Sequence, residues 1–211
     1  MQQESITSSV KQVIERLRLP VSFYLAGGTS LAIQLGHRVS EDLDFFNPDP
    51  IPQDFLETIE KQLAGFSLAV SVNTEDELSL VADETKLTFL AYPFRVLLPL
   101  VPYGRLKLAP VLEIAAMKAY ALGRRGTLKD YVDIYFVLLE GISIKEIANT
   151  AEKKFGDQLF NTRLFLEQLI YFRDLPEENI RFLRSAVSRQ ELQGFFEERI
   201  KKEFKNLENK G

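Results

Sequence analysis

The stretch YLAGGTSLAIQLGHRVSEDLDFF, residues 24–46, constrains this chain more than any other. A Gly-Gly-Thr-Ser step follows one apolar run, and an Asp-x-Asp pair lies inside a second. Along a strand, successive side chains alternate faces, so Asp42 and Asp44 point one way and Leu43 and Phe45 the other. Two ionised carboxylates on one face repel, and taking them out of water is costly unless something positive sits between them. A divalent cation with oxygen ligands answers that need. Glycines let backbone N–H groups approach phosphate oxygens, and a helix that follows them turns its partly positive end the same way. The order strand, glycine turn, helix, strand with Asp-x-Asp therefore predicts a phosphate cradle beside a metal site. Either part alone is weak, since an isolated Asp-x-Asp on a surface strand is usually solvated charge.

Composition narrows the chemistry. The 211 residues contain no cysteine and one histidine, His37. Disulfides, thiolate chemistry and a multi-histidine zinc site are therefore excluded within the chain, and any metal is a hard cation on carboxylates. The net charge of −4 argues against a general nucleic-acid coat while leaving room for a local basic patch. No apolar run approaches the roughly 20 residues of a membrane span. The N-terminus is polar and amphipathic, without the apolar core of a signal peptide, so the expected location is cytoplasmic.

The hydrophobic pattern predicts an α+β half, residues 1–109, followed by a helical half, 110–211, packed against it without a flexible linker. In the first half, residues 5–18 read as a helix ended by Pro20. VSFYLAGG reads as a strand, TSLAIQLGH as a helix with Thr29 or Ser30 near its N-cap and Gly36 at its end, and DLDFF as a strand. Pro52 suits the first turn of a helix over 52–64. FSLAVSVN, ELSLVAD, TKLTFLAY and GRLKLAP read as four strands, with the proline-broken PFRVLLPLVPYG as a loop. In the second half, PVLEIAAMKAYALGRR, TLKDYVDIYFVLLE and SIKEIANTAEKKFG read as helices. Thr127 is a cap for the second, and Ser143 with Glu146 forms a capping box for the third. Further helices are expected near 157–173, 176–188 and 189–208.

The ordered pair of motifs resembles the DNA polymerase β-type nucleotidyltransferase signature. Ala26, Gly27 and Gly28 lead to Asp42 across thirteen residues, the long end of that pattern. The wider segment LAGGTSLAIQLGHRVSEDLDFF resembles the AbiEii/AbiGii family of nucleotidyltransferase-like toxins. LEIAAMKAYALGRRGTLKDYVDIYFVL resembles a later motif of that family, and LEQLIYFRDLP is a weaker third match. The resemblance implies a polymerase β-like mixed sheet flanked by helices. It also implies roles residue by residue. Gly27, Gly28, Thr29 and Ser30 would face the nucleotide's phosphates. Asp42 and Asp44 would hold Mg²⁺ or Mn²⁺. Lys118 would reach the triphosphate, and Asp130 would complete the catalytic set with Asp133 nearby. Arg38 and Ser40 match the His-Arg-x-Ser-x-Asp lead into the strand, where Arg38 would contact phosphate or orient an aspartate. The implied function is transfer of a nucleotide from a nucleoside triphosphate to an acceptor hydroxyl, such as an RNA or tRNA 3′ end, by the toxin of a toxin–antitoxin pair with a cognate antitoxin.

Plainer readings stand beside these. Lys118 on a mostly apolar helix could snorkel to solvent. Asp130 and Asp133 share a helix face and could pair with Arg124, Arg125 or Lys129. Arg105, Lys107, Lys118, Arg124, Arg125 and Lys129 could form a local basic lip or be solvated helix ends. TKLTFLAYPF lacks the third strand carboxylate usual in polymerase β-type enzymes. That departure supports an alternative, a non-catalytic relative that binds nucleotide or a protein partner.

Overall fold

Alternating apolar residues in segments 43–47, 78–82 and 87–91 build the middle of a seven-stranded sheet. The computed structural model describes residues 2–208, with side chains described as far as Lys202. Contacts divide the chain into two compact units, Met1–Pro110 and Val111–Gly211.

In the first unit the elements run α1 (Ser8–Arg16), β1 (Tyr24–Leu25), α2 (Gly27–Leu35), β2 (Leu43–Asn47) and α3 (Phe55–Gln62). They continue as β3 (Leu68–Asn73), β4 (Glu77–Ala82), β5 (Thr85–Ala91), β6 (Val101–Tyr103) and β7 (Leu106–Leu108). The strand order is β3-β4-β5-β2-β1-β7-β6. Two neighbouring pairs, β2 with β5 and β1 with β7, are parallel and the others antiparallel. One sheet face carries Leu43, Phe45, Leu78, Leu80, Leu87 and Phe89, which pack with Val10 and Val13 of α1 and Phe55 and Ile59 of α3 in a single core. Phe45 stacks on Phe89 at 5.1 Å and Phe23 on Phe55 at 4.9 Å, so aromatic contact adds to area burial there.

Several expected boundaries move. The first helix begins at Ser8 under a Thr7 cap, because Ile6 is drawn into a bridge with Ser40. The strand before the glycines contracts to Tyr24–Leu25. Thr29 and Ser30 are not the N-cap of α2. The helix begins at Gly27 with Ala26 at its cap, so the glycines form its first turn. Gly36 ends it in the left-handed conformation, as expected. The stretch expected as an unbroken loop contains β6, at the sheet edge. Pro102, which lacks an N–H, is tolerated there because one side of an edge strand needs no ladder partner.

The second unit contains α4 (Val111–Arg125), α5 (Leu128–Leu139), α6 (Ile144–Phe155), α7 (Thr162–Leu169) and α8 (Arg189–Glu208). The Ser143–Glu146 capping box forms as read. Residues 176–188 form no helix. None of them is buried, so no packed apolar face offsets the cost of helix nucleation. A fully buried ion pair, Lys154 Nζ to Glu113 Oε1 at 2.7 Å, ties α6 to α4. Tyr131 is buried beside Phe172 and Phe196, and burial pushes its phenol up to about 12, with the Asp130 charge adding to the shift.

Candidate active site

The two glycines are seats for two charged side chains. Gly27 has φ +65°, a conformation that disfavours any Cβ. A Cβ there would also fall 2.6 Å from Asp44 Oδ2. At Gly28 a Cβ would fall 2.4 Å from Arg38 Nη2 and 3.3 Å from Ser40 Oγ. The Asp44 carboxylate and the Arg38 guanidinium thus each rest against a glycine in the first turn of α2. Sequence reasoning ascribed the glycines to phosphate approach alone. The contacts that also require them join residues ten or more positions apart, which only the fold reveals.

Asp42 and Asp44 differ in placement. Asp44 is the second residue of β2 and half-buried, whereas Asp42 precedes the strand and is exposed. Leu43 and Phe45 are fully buried, while Asp42, expected on the strand with Asp44, lies before it. The Asp44 carbonyl accepts from the Ala26 N–H at 3.0 Å, which fixes β2 against the start of α2. The strand next to β2 carries Thr88 in register with Asp44. A neutral hydroxyl therefore stands beside the carboxylate on the strand where a third acid was looked for.

Thr29 and Ser30 turn their hydroxyls inward. Thr29 Oγ1 donates to the Asp42 carbonyl and lies 2.8 Å from Ser40 Oγ. Ser30 Oγ is 3.5 Å from the Ala109 carbonyl, which also accepts from Gln34 Nε2 at 2.9 Å. The Thr29 bonds pin the helix to the segment that carries the aspartates, and the Ser30 and Gln34 bonds pin it to the chain after β7. The Ser30 N–H donates to the Ala26 carbonyl at 3.4 Å, so of these two residues it is Thr29 whose N–H belongs to the leading turn. The leading N–H groups of a helix have no intrahelical acceptor, and Ala26 supplies no side-chain cap, so the α2 N-terminus offers N–H donors. Arg38 is buried and Nη1 donates to the Val39 carbonyl at 3.2 Å. His37 is fully buried after the α2 C-cap.

Lys118 and Asp130 belong to the second unit, where they form one network. Lys118 Nζ lies 2.7 Å from Asp130 Oδ1 and 2.7 Å from Asp133 Oδ2. Asp130 Oδ2 accepts from the Thr127 N–H at 2.9 Å and from its hydroxyl at 3.0 Å. Burial works to raise the Asp130 pKa, but the Lys118 charge and hydrogen bond, with the Thr127 N–H, outweigh it and hold the carboxyl below its ordinary value. Lys118 does not snorkel to solvent. The acids take Lys118 itself as partner, not Arg124, Arg125 or Lys129. The six basic residues considered as a lip belong to both units. Arg105 and Lys107 are in the first unit, Lys118 is buried, and Lys107 donates to the Val21 carbonyl at 3.1 Å.

Among the described residues, no group of three or more acidic, histidine or cysteine side chains is placed to hold a metal. Asp42 and Asp44 form a smaller donor set of hard oxygens with solvent access, which suits a Mg²⁺-type ion that completes its shell with water and phosphate. No described helix is long and apolar enough to cross a membrane.

A mixed sheet that sets Asp44 of β2 against a glycine-led helix N-terminus, with Asp42 just before the strand, is the arrangement expected of a nucleotidyltransferase-type protein. The chain belongs to the AbiEii nucleotidyl transferase toxin family of type IV toxin–antitoxin systems, whose model matches residues 12–95 and 70–209. It is 32% identical over 188 residues to an uncharacterized protein of Aquifex aeolicus, covering 87% of this chain and 89% of that one. Two solved structures share its fold. MenT4, a nucleotidyltransferase toxin from Mycobacterium tuberculosis, has a TM-score of 0.60 at 18% identity, covering 90% of this chain and 80% of that one. A protein of H. pylori has a TM-score of 0.57 at 15% identity, covering 96% and 97%.

Proposed function

We propose that this protein transfers a nucleotide from a nucleoside triphosphate to a hydroxyl at an RNA 3′ end, as the toxin of a pair with a cognate antitoxin. The observation that carries this reading is the seating of Asp44 on Gly27 at the uncapped N-terminus of α2. It sets a carboxylate beside backbone N–H donors, as a metal-bound triphosphate requires. In the reaction the acceptor oxygen bonds to the α-phosphorus, the bond from that phosphorus to the bridging oxygen breaks, and pyrophosphate leaves. The hydroxyl proton passes to solvent.

Asp42 and Asp44 would hold the divalent ion, Mg²⁺ or Mn²⁺. When bound, such an ion supplies charge neutralisation to the triphosphate. The N–H groups of Gly27, Gly28 and Thr29 orient phosphate oxygens. Arg38 supports the first turn of α2 and keeps a positive charge beside it. By family resemblance Lys118 is the proposed triphosphate contact and Asp130 completes the catalytic set, and Asp130 also pairs with Lys118. The expected location is the cytoplasm, where nucleoside triphosphates and RNA are available.

The test is incubation with Mg²⁺, each of the four labelled nucleoside triphosphates and total RNA. The reading predicts label at RNA 3′ ends and stoichiometric pyrophosphate. No label with any nucleotide overturns it. Two observations favour a second reading, a non-catalytic relative that binds nucleotide or a protein. Thr88 stands beside Asp44, and Lys118 is held by two carboxylates. That reading predicts Mg²⁺-dependent nucleotide binding without turnover.

A further inference from the structure

The C-terminal end of α4, in the second unit, carries a three-layer stack. Phe155 of α6, buried, lies under Tyr120 with ring centroids 4.1 Å apart and planes 20° from parallel. The Arg124 guanidinium lies over the Tyr120 ring at 3.6 Å. It is fixed there, because Nη1 donates to the Tyr120 carbonyl at 2.9 Å and Nη2 to the Leu159 carbonyl at 2.7 Å. Arg124 is itself exposed. The stack borders a cleft of about 390 Å³, within the range of small-ligand sites. Leu159 and Leu164 line it and are 45% and 44% exposed, while Asn161 adds a polar edge. Gly123 also lines the cleft, next to Leu164.

A guanidinium already held in plane, with an aromatic ring beneath it, forms a platform for another flat π-system. Single-stranded RNA is recognised by stacking of unpaired bases on aromatic rings and arginine planes. Charge points the same way. The first unit has 9 basic and 14 acidic residues, and the second has 17 basic and 16 acidic. The acidic excess of the chain therefore lies in the first unit, and the unit with the stack is close to neutral, so it does not repel a polyanion as a whole. Arg125, the next residue along the helix, is also exposed. We propose that the cleft bordered by Arg124, Tyr120, Leu159 and Leu164 binds an unpaired base of the acceptor RNA, which stacks on the Arg124 guanidinium. This deepens the RNA-acceptor reading and rests on it.

Two substitutions separate stacking from charge. Arg124→Gln removes both, and Arg124→Lys keeps the charge and loses the plane. The Michaelis constant for RNA is measured in label transfer, and the affinity for a fluorescein-labelled single-stranded oligoribonucleotide is measured by anisotropy without triphosphate. Both variants are expected to weaken RNA binding about tenfold, the scale of one base stack. The rate at saturating RNA and the Michaelis constant for triphosphate are expected to stay unchanged. Wild-type affinity in either variant overturns the proposal. Wild-type affinity in both assigns the cleft to something other than RNA, such as a protein segment. Anisotropy keeps the two readings apart. A wild-type protein that binds the oligonucleotide through Arg124 but transfers no label contradicts the transfer reading and leaves the cleft assigned.

Discussion

Gly27 shows how much one residue carries. It combines a left-handed backbone with close approach of Asp44 Oδ2. Gly27→Ala is expected to destabilise the fold by about 1–2 kcal/mol from backbone strain. By displacing the carboxylate it should also cut label transfer about a hundredfold. Gly65→Ala is the control, since Gly65 has φ +100° and no atom within reach of a Cβ, so it should share the strain and keep the activity. Asp130 makes a pH prediction. Its folded pKa is held below the ordinary value by Lys118 and Thr127, against the opposing effect of burial. The associated stability is present above the unfolded carboxylate pKa and is lost as pH falls through the folded one. Thermal melts from neutral pH to below pH ~4 should show a shallower acid loss in Asp130→Asn than in the wild type. The sequence made Asp42, Asp44 and the glycines legible because their spacing is local. It hid the partners Arg38 for Gly28 and Lys118 for Asp133, which meet only after folding.

Elements formed where sequence and burial agreed. The helices over 111–125, 128–139 and 144–155 and the strands over 43–47, 77–82 and 85–91 followed their periodicity, because each has a face to bury. Residues 176–188 carry helix-compatible composition without a buried residue, so propensity alone did not make a helix. The short edge strand β6 was hidden by its proline. The buried Glu113–Lys154 pair between α4 and α6 also left no sign, since each residue reads alone as helix surface. Glu113→Ala strands a buried ammonium and is expected to cost about 3–5 kcal/mol in urea unfolding. Replacing both partners with methionine should recover most of that loss, because two apolar groups need no counter-charge.

At the scale of the molecule, the contacts divide the chain between Pro110 and Val111. The site residues fall into two sets, each held by its own unit. Asp42, Asp44, Gly27, Gly28 and Arg38 are fixed around the start of α2, and Lys118, Asp130 and Asp133 between α4 and α5. The central claim concerns the first set: that its carboxylates serve nucleotide transfer. Asp44→Asn tests it most directly, because the amide keeps the shape that rests on Gly27 and removes the charge. The measurement is the initial rate of label transfer to RNA in Mg²⁺, beside a melting curve for each protein. The account predicts an unchanged fold and a rate at least about a hundredfold below wild type. A variant that folds and transfers label at the wild-type rate contradicts it.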